Sequence, residues 1–243
     1  MEVQIGLLEQ SLFYLLTFGS IMVRNKNISG APASNAGDEF HELWALQEIL
    51  HLLDPSTLLS GMQLEGVQTE TSKDAEGPQW DGVDCTLYYG GRPIKSANRI
   101  EIVQLKYSVA KPEQNWTMSR FCKNKAKSEN NSVARRLGQA FQKIISLRGS
   151  EGIESLLSLK FVSNQPIQPK LQNLVKSLTE GNALDDYAEK LYKATCLKQK
   201  EFYLFIRCLE LKGGGNARRA LKKDIIHAVS SLIEDSAKIQ VAQ

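Results

Sequence analysis

The sequence is poor in the features that mark metal ribbons, secreted domains and membrane proteins. Its four cysteines form no CxxC pair and lie far apart, at Cys85, Cys122, Cys196 and Cys208. This spacing argues against a zinc ribbon or a disulfide framework and predicts reduced thiols in a cytoplasmic protein. The apolar N-terminal stretch has only 14 uncharged residues between Glu9 and Arg24. It is too short to span a bilayer and lacks a basic leader, so we expect no membrane partner.

Two further motifs are missing. The glycine-rich stretch "KGGGNARRA" at 212–220 lacks the GK[ST] that a phosphate-binding P-loop requires, so we expect no NTPase activity. The three histidines, His41, His51 and His227, share no metal-ligand spacing. The formal net charge is only +3, from 30 Lys and Arg against 27 Asp and Glu. The total charge therefore does not by itself indicate a nucleic-acid partner.

The length of 243 residues is enough for one sizeable domain with an appendage. Apolar residues recur at helical spacing near the N-terminus, so residues 1–28 are expected to form a helix. Core packing and dimerisation both remain open as its role. Residues 29–243 are expected to form the main domain, with a core at about 36–170 and a C-terminal α/β extension.

Segments of different periodicity follow one another in this domain, and three strands in a row indicate an antiparallel meander. Later strands alternate with helices, so we expect an α/β fold with a mixed central sheet flanked by helices. Asp38 is the expected N-cap of the first helix. The predicted helices cover 38–54, 133–149, 169–181, 184–196 and 217–237, and the predicted strands cover 61–70, 83–91, 99–109, 157–167 and 201–211.

Polar side chains interrupt two neighbouring strands of the meander. Side chains alternate along a strand, so Gln104 and Lys106 share one face of "RIEIVQLKYSV" with two isoleucines. Asp84 lies on the preceding strand, in "VDCTLYYGG". A buried ammonium is costly without a partner, and Asp84 has the sign that Lys106 needs. A structural ion pair and a functional site both remain open on these residues alone.

Glu42 adds a polar group on the helix before the meander. It is flanked by Phe40 and Leu43, at the edge of the face expected to pack on the sheet. A carboxylate there would point at the same spot as Asp84. Asp, Glu, Gln and Lys converging at a sheet edge predict a hard-oxygen site for Mg²⁺ with an adjacent cation, which suits phosphodiester hydrolysis.

The order of these residues resembles a known superfamily of nucleases. Glu in a helix, Asp on a second strand and "QLK" on a third resemble the PD-(D/E)XK, or restriction-endonuclease-like, superfamily. The match is to the variant with Gln in place of the second acid, as in Mrr-type nucleases. "GDEFHELWAL", "VDCTLYYGG" and "IEIVQLKYS" are more closely similar to the double-stranded DNA endonuclease domain of bacterial antiphage effectors, such as SAVED-domain proteins and STAND NTPases. The motifs lie within residues 30–170.

The resemblance implies a role for each residue of the motif. Asp84 and Gln104 correspond to the metal-binding pair, with Mg²⁺ as the cofactor and Mn²⁺ able to replace it. Lys106 corresponds to the catalytic lysine and Glu42 to the helix acid. Because Gln104 removes one negative ligand from the family pattern, one metal ion and two both remain open. Glu65 either replaces the missing charge or is a solvent-facing strand residue.

Positive charge is concentrated after the third strand. Between Ser119 and Arg148, eight basic residues stand against one acid, Glu129. The first part, "SRFCKNKAKSENNS", is expected to be a loop that follows a phosphate backbone, with a solvated basic loop as the alternative. The predicted DNA contacts are Arg120, Lys123, Lys125, Lys127, Arg135, Arg136 and Gln139.

These patterns and the resemblance together predict a metal-dependent endonuclease, and the resemblance implies that it cuts double-stranded DNA with little sequence preference. The resemblance further implies a homo-oligomeric antiphage effector, activated by a sensor domain absent from this chain. Two alternatives remain open. One is a catalytically silent nucleic-acid-binding or assembly module of the same fold, which Gln104 favours. The other is an RNase, since nothing in the sequence reads or rejects a 2′-hydroxyl.

Overall fold

The described chain forms a five-stranded sheet with helices on both faces. The computed structural model describes residues 32–54, 56–67, 80, 82–123, 132–215 and 217–241, so the helix predicted over 1–28 lies outside it. The described helices are α1 (Pro32–Ile49), α2 (Met118–Cys122), α3 (Val133–Arg148), α4 (Ile153–Leu156), α5 (Pro169–Thr179), α6 (Asp186–Thr195), α7 (Gln199–Cys208) and α8 (Arg218–Val241). The strands are β1 (Leu59–Leu64), β2 (Cys85–Tyr89), β3 (Arg99–Lys106), β4 (Leu157–Ser163) and β5 (Leu209–Lys212).

The strands lie side by side in chain order, β1 to β5. The β1, β2 and β3 strands are antiparallel, as the meander predicts, whereas β3, β4 and β5 are parallel. Antiparallel neighbours need only short connections, but parallel neighbours need a crossover, and α2 to α4 and α5 to α7 supply two of them. The predicted α/β class, with a mixed sheet flanked by helices, is confirmed.

Alternation along β3 separates two faces of the sheet. Ile100 and Ile102 pack into the larger core with residues of α3, and this side is called the α3 face below. Val103 and Leu105 pack into a smaller core with Phe40 of α1, and this side is called the α1 face. The period of two places Gln104 and Lys106 on the α3 face.

Helix α1 begins earlier than the sequence pattern predicts. Its first residue is Pro32, so Asp38 lies inside the helix and the prediction of Asp38 as the N-cap is wrong. Proline suits the first position of a helix because its fixed φ is already helical and its missing N–H would have no partner there. The segment between Pro32 and Asp38 therefore belongs to α1 rather than to a loop.

The structure also corrects the strand prediction for segment 201–211. It was expected to be a strand, but most of it lies in α7, and only the residues from Leu209 onward form β5. Phe202, Phe205 and Ile206 are buried at helical spacing, and the Glu201 carboxylate accepts the N–H of Lys198 at the helix start. This cap and the apolar stripe favour the helix over the strand.

Helix α8 lies against α1 on the α1 face. Leu221 of α8 joins the smaller core, and Arg218 and Lys222 both form ion pairs with Glu39 of α1. The hydrogen bond from Lys222, with the charge of Arg218, lowers the pKa of Glu39. Within the part of the chain that the structure describes, no helix, including α8, is long and apolar enough to cross a membrane.

Candidate functional site at the carboxyl end of β3

Asp84 is held by its backbone between two neighbouring segments. Its N–H donates to the carbonyl of Val103 at 3.0 Å, and its carbonyl accepts the N–H of Glu65 at 3.1 Å. The paired register of β2 and β3 begins with Cys85 opposite Val103, and Asp84 directly precedes Cys85. The segments that follow β1, precede β2 and form β3 thus fix the position of the Asp84 backbone.

The Asp84 carboxylate faces the end of β3. Its Oδ2 accepts the backbone N–H of Leu105 at 2.6 Å and lies 3.7 Å from Lys106 Nζ. Lys106 Nζ also donates to the Leu105 carbonyl at 2.9 Å. The Asp84 and Lys106 side chains are 19% and 27% exposed, so the ion pair is half-buried and open to solvent on one side. The structure brings together the carboxylate and the lysine that the sequence pattern connects.

Gln104 is fully buried, and neither its amide oxygen nor its amide nitrogen has a hydrogen-bond partner among the described residues. Leaving a buried polar group unsatisfied costs about 1 to 3 kcal/mol. Such a group in a folded protein requires an explanation, and an ion or water bound beside it is one of the standard ones. Gln104 directly precedes Leu105, whose N–H donates to the Asp84 carboxylate.

These oxygens fit a magnesium ion. The Leu105 N–H and the Lys106 ammonium both contact Asp84 Oδ2, and Asp84 Oδ1 receives no hydrogen bond from the described residues. A carboxylate oxygen and an amide oxygen are hard ligands of the type that Mg²⁺ prefers, and Mg²⁺ usually keeps several waters. Asp84 and Gln104 would therefore hold the ion, with its other positions left to water and phosphate.

The structure does not bring Glu42 to this cluster. Glu42 is exposed on α1, while Phe40 and Trp44 turn towards the sheet. Two residues along a helix rotate the side chain by about 200°, so Glu42 lies opposite Phe40. The helix itself packs on the α1 face, whereas Gln104 and Lys106 lie on the α3 face. In keeping with this, no group of three or more His, Cys, Asp or Glu within the described ranges is arranged to hold a metal.

Glu65 lies closer to the site than Glu42 does. It follows the last residue of β1 in a left-handed conformation, with φ of 52°, and its N–H donates to the carbonyl of Asp84. Its side chain is exposed. The backbone contact keeps Glu65 beside Asp84, and its role as a further metal ligand stays a prediction.

Two of the predicted DNA-binding arginines use their guanidinium groups inside the protein. Arg120 donates to the carbonyls of Gln114 and Asn115 and to Gln165 Oε1, and it stacks 4.0 Å from the ring centroid of Trp116. Burial lowers the pKa of Arg120. Similarly, the half-buried Arg135 donates to the carbonyl of Thr195 at 3.1 Å. These contacts favour a structural role for both side chains.

The other predicted DNA contacts lie in different places. Lys123 is exposed at the end of α2, whereas Lys125 and Lys127 lie outside the described residues. Arg136 and Gln139 are half-buried on one side of α3, three residues apart. The side chain of Arg136 packs against Gly82, so this side of α3 borders the Asp84 site.

Two features of the site are missing from the sequence prediction. One is the N–H of Leu105, which no side-chain pattern reveals. The other is Gly82, where a Cβ would lie 2.9 Å from Gln104 Nε2 and 2.5 Å from Arg136 Cδ. Its φ of 83° also favours glycine. The only signal in the sequence was the Asp-Gly pair at 81–82, which marks a turn.

Comparison with known proteins places the chain in no family. A scan against protein-family models found no match, and a search of curated proteins found no relative. What this site does must therefore be inferred from its own residues.

Proposed function

We propose that this protein is a metal-dependent endonuclease that hydrolyses the phosphodiester bonds of double-stranded DNA. One observation carries the proposal: the buried Gln104 amide, without a partner among the described residues, directly precedes Leu105, whose N–H donates to the Asp84 carboxylate 3.7 Å from Lys106 Nζ. A structural ion pair accounts for Asp84 and Lys106 but leaves the Gln104 amide unexplained. A bound cation accounts for all three side chains.

Each residue has a distinct chemical task in this proposal. A Mg²⁺ ion held by Asp84 and Gln104 would neutralise phosphate charge and lower the pKa of a bound water. The Leu105 N–H fixes the orientation of the Asp84 carboxylate through Oδ2, which leaves Oδ1 available to hold the ion. Lys106 stands beside the same carboxylate, where its ammonium can orient a water or stabilise negative charge that develops on the phosphate.

The cellular setting forms part of the same proposal. The resemblance to antiphage effector domains supports a cytoplasmic homo-oligomer that cuts DNA with little sequence preference and is activated by a sensor domain outside this chain. All four cysteines are free thiols, as expected in a reducing compartment. Burial raises the pKa of Cys208 to about 12, so this thiol is unreactive.

The test is cleavage of supercoiled plasmid by concentrated protein in the presence of Mg²⁺, Mn²⁺ or EDTA. The variants Asp84→Asn and Lys106→Gln remove the carboxylate charge and the ammonium. Lys212→Gln is the matched control, because Lys212 lies 3.6 Å from Glu210 in an ion pair outside the site. We expect metal-dependent nicking by the wild type and the control, and a loss of about 100-fold or more in both site variants.

Each contrary result has a defined meaning. Cleavage that persists in Asp84→Asn would contradict the assignment of the site. If plasmid stays intact with the wild type, fusion to a dimeric tag tests whether assembly is the missing activator. DNA binding without metal and without cleavage, even in the forced dimer, would select the silent binding module. An RNA duplex cut in preference to DNA would select the RNase.

A further inference from the structure

A groove lies between α2, the start of α5 and the first turns of α6. It has a volume of about 420 Å³, and its polar lining consists of Thr117, Ser119, Gln168, Lys170, Tyr187 and Lys190. None of the described residues that line it carries a carboxylate. The groove therefore presents two ammonium groups and three hydroxyls on one surface, which is a set of groups that binds anions.

The two lysines keep their charge available to a ligand. Lys170 Nζ lies 4.3 Å from the ring centroid of Tyr187, and this cation–π contact holds the ammonium over the groove. Lys190 follows Tyr187 by three residues on the same side of α6. In the described chain neither lysine forms an ion pair with a carboxylate, and the neighbouring Glu189 is paired with Lys193 at 3.3 Å.

The groove is joined to the end of β3 through Trp116. The Trp116 indole N–H donates to Ser163 Oγ at 3.0 Å, and Ser163 is the residue of β4 in register with Lys106. Thr117 follows Trp116 directly, and the Gln168 N–H donates to the Trp116 carbonyl at 3.0 Å. Trp116, which directly precedes Thr117 of the groove, therefore contacts the carboxyl end of β4 beside Lys106 of β3, and its side chain belongs to the core of the α3 face.

We infer that this groove binds a phosphate of the duplex DNA backbone that leads to the Asp84 and Lys106 pair. The inference rests on the proposed function and adds to it a defined path for the substrate. Each strand of a duplex carries a phosphate about every 3.4 Å along the axis, so a backbone that reaches Lys106 has further phosphates beside it. Lysine and hydroxyl contacts to phosphate carry no sequence information, which agrees with cleavage of little sequence preference.

The groove also explains where DNA contacts come from when the guanidinium groups of Arg120 and Arg135 are used internally. Arg120 donates to three acceptors around Trp116 and so holds the wall of the groove in place. Its role towards DNA is then one of positioning. Lys170 on α5 and Lys190 on α6 then make the direct contacts to the DNA phosphates.

The salt dependence of DNA binding tests this inference separately from cleavage. A fluorescein-labelled duplex is titrated in EDTA, by anisotropy, at salt concentrations between 50 and 200 mM, with Lys170→Gln, Lys190→Gln and the double variant. Each lost phosphate contact makes the negative slope of log K against log salt shallower by about 0.9. The fourfold salt increase therefore costs each single variant about 3.5-fold less affinity than it costs the wild type, and the double variant about 12-fold less. Lys170→Arg is expected to keep the slope, as is Lys176→Gln, which changes an exposed lysine on α5 outside the groove.

The outcomes of binding and of cleavage are independent. An unchanged slope in the double variant would overturn the groove inference, even if the wild type cuts plasmid through Asp84. The same holds if the wild type binds no DNA at low salt, or if the slope changes for an RNA duplex alone. A reduced slope in a protein that never cleaves would support the groove while contradicting the nuclease. Both lysines are exposed, and circular dichroism checks that the variants fold.

Discussion

Gly82 lies against the amide of Gln104, and a Cβ added at Gly82 would come within 2.9 Å of Gln104 Nε2. We expect Gly82→Ala to displace the Gln104 amide and the Arg136 side chain, and to lower plasmid cleavage by at least tenfold. The left-handed backbone at φ of 83° adds a cost of about 1 to 2 kcal/mol in unfolding free energy. Denaturant unfolding and the cleavage rate, measured on the same preparation, separate the two effects.

Gly149→Ala is the matched control for this prediction. Gly149 ends α3 with φ of 81°, and nothing lies within 4 Å of an added Cβ there. Gly149→Ala therefore also places an alanine at positive φ, but without the contact. Equal losses of activity in both variants would mean that strain alone, and not the position of the Gln104 amide, reduces cleavage.

Gln104→Met is expected to stabilise the protein while abolishing its activity. The methionine keeps the volume of the side chain but removes the two buried polar atoms that have no partner among the described residues. The unfolding free energy should rise by about 1 to 3 kcal/mol, which is the usual cost of an unsatisfied buried group. Urea unfolding in EDTA measures it. A destabilised Gln104→Met protein would show that the amide is already satisfied in the absence of metal.

Glu48→Gln tests a half-buried carboxylate on α1. Burial is the main cause that raises the pKa of Glu48, while His51 and Lys160 oppose the rise. Because the folded-state pKa is above that of the unfolded chain, the folded protein binds more protons, and its stability falls as pH rises through the folded pKa. Glu48→Gln should therefore be more stable than the wild type at neutral pH, and the gap should close below pH of about 4.3. Unfolding curves across this pH range measure the difference in stability, with the exposed Glu151→Gln as the control. A stability difference between Glu48→Gln and the wild type that stays constant with pH would contradict the prediction.

Arg120→Ala is expected to change stability rather than DNA contacts. It removes hydrogen bonds to two carbonyls and to Gln165 Oε1, as well as the stacking on Trp116. The loss should be about 2 to 3 kcal/mol in unfolding free energy, with little change in the salt slope of DNA binding. Arg219→Ala, at an exposed position on α8, is the control. A normal stability with a slope reduced by about 1 would restore Arg120 as a phosphate contact.

The sequence was sufficient to predict that Asp84 and Lys106 lie together because the determinants of this pair are local. The period of two along β3 placed Gln104 and Lys106 on one face, and the short connection between β2 and β3 made their antiparallel pairing the expected one. The position of Asp84 then followed from its place just before β2. The positions of Asp84, Gln104 and Lys106 depend on residues that are close in the sequence and not on distant contacts.

The sequence was less informative where the rotation of a helix or long-range packing determines the position of a side chain. Glu42 has apolar residues on both sides, and only the true rotation of α1 shows that it faces away from Phe40. Segment 201–211 is rich in aromatic and aliphatic residues, so its composition favours a strand although its spacing fits α7. The groove joins Thr117, Lys170 and Lys190 from three separate segments, and only the folded chain brings them together.

Arg148, at the end of α3, donates to the carbonyls of Ile94 and Lys95 in the hairpin between β2 and β3. This hairpin lies at the end of β2 away from Asp84, and five strand residues at 3.4 Å each separate the two ends by about 17 Å. Ser96 is exposed in this fastened hairpin. A dye attached at position 96 would thus sit at a fixed reference point outside the site. From there, energy transfer to a labelled duplex would report in which direction the DNA leaves the protein.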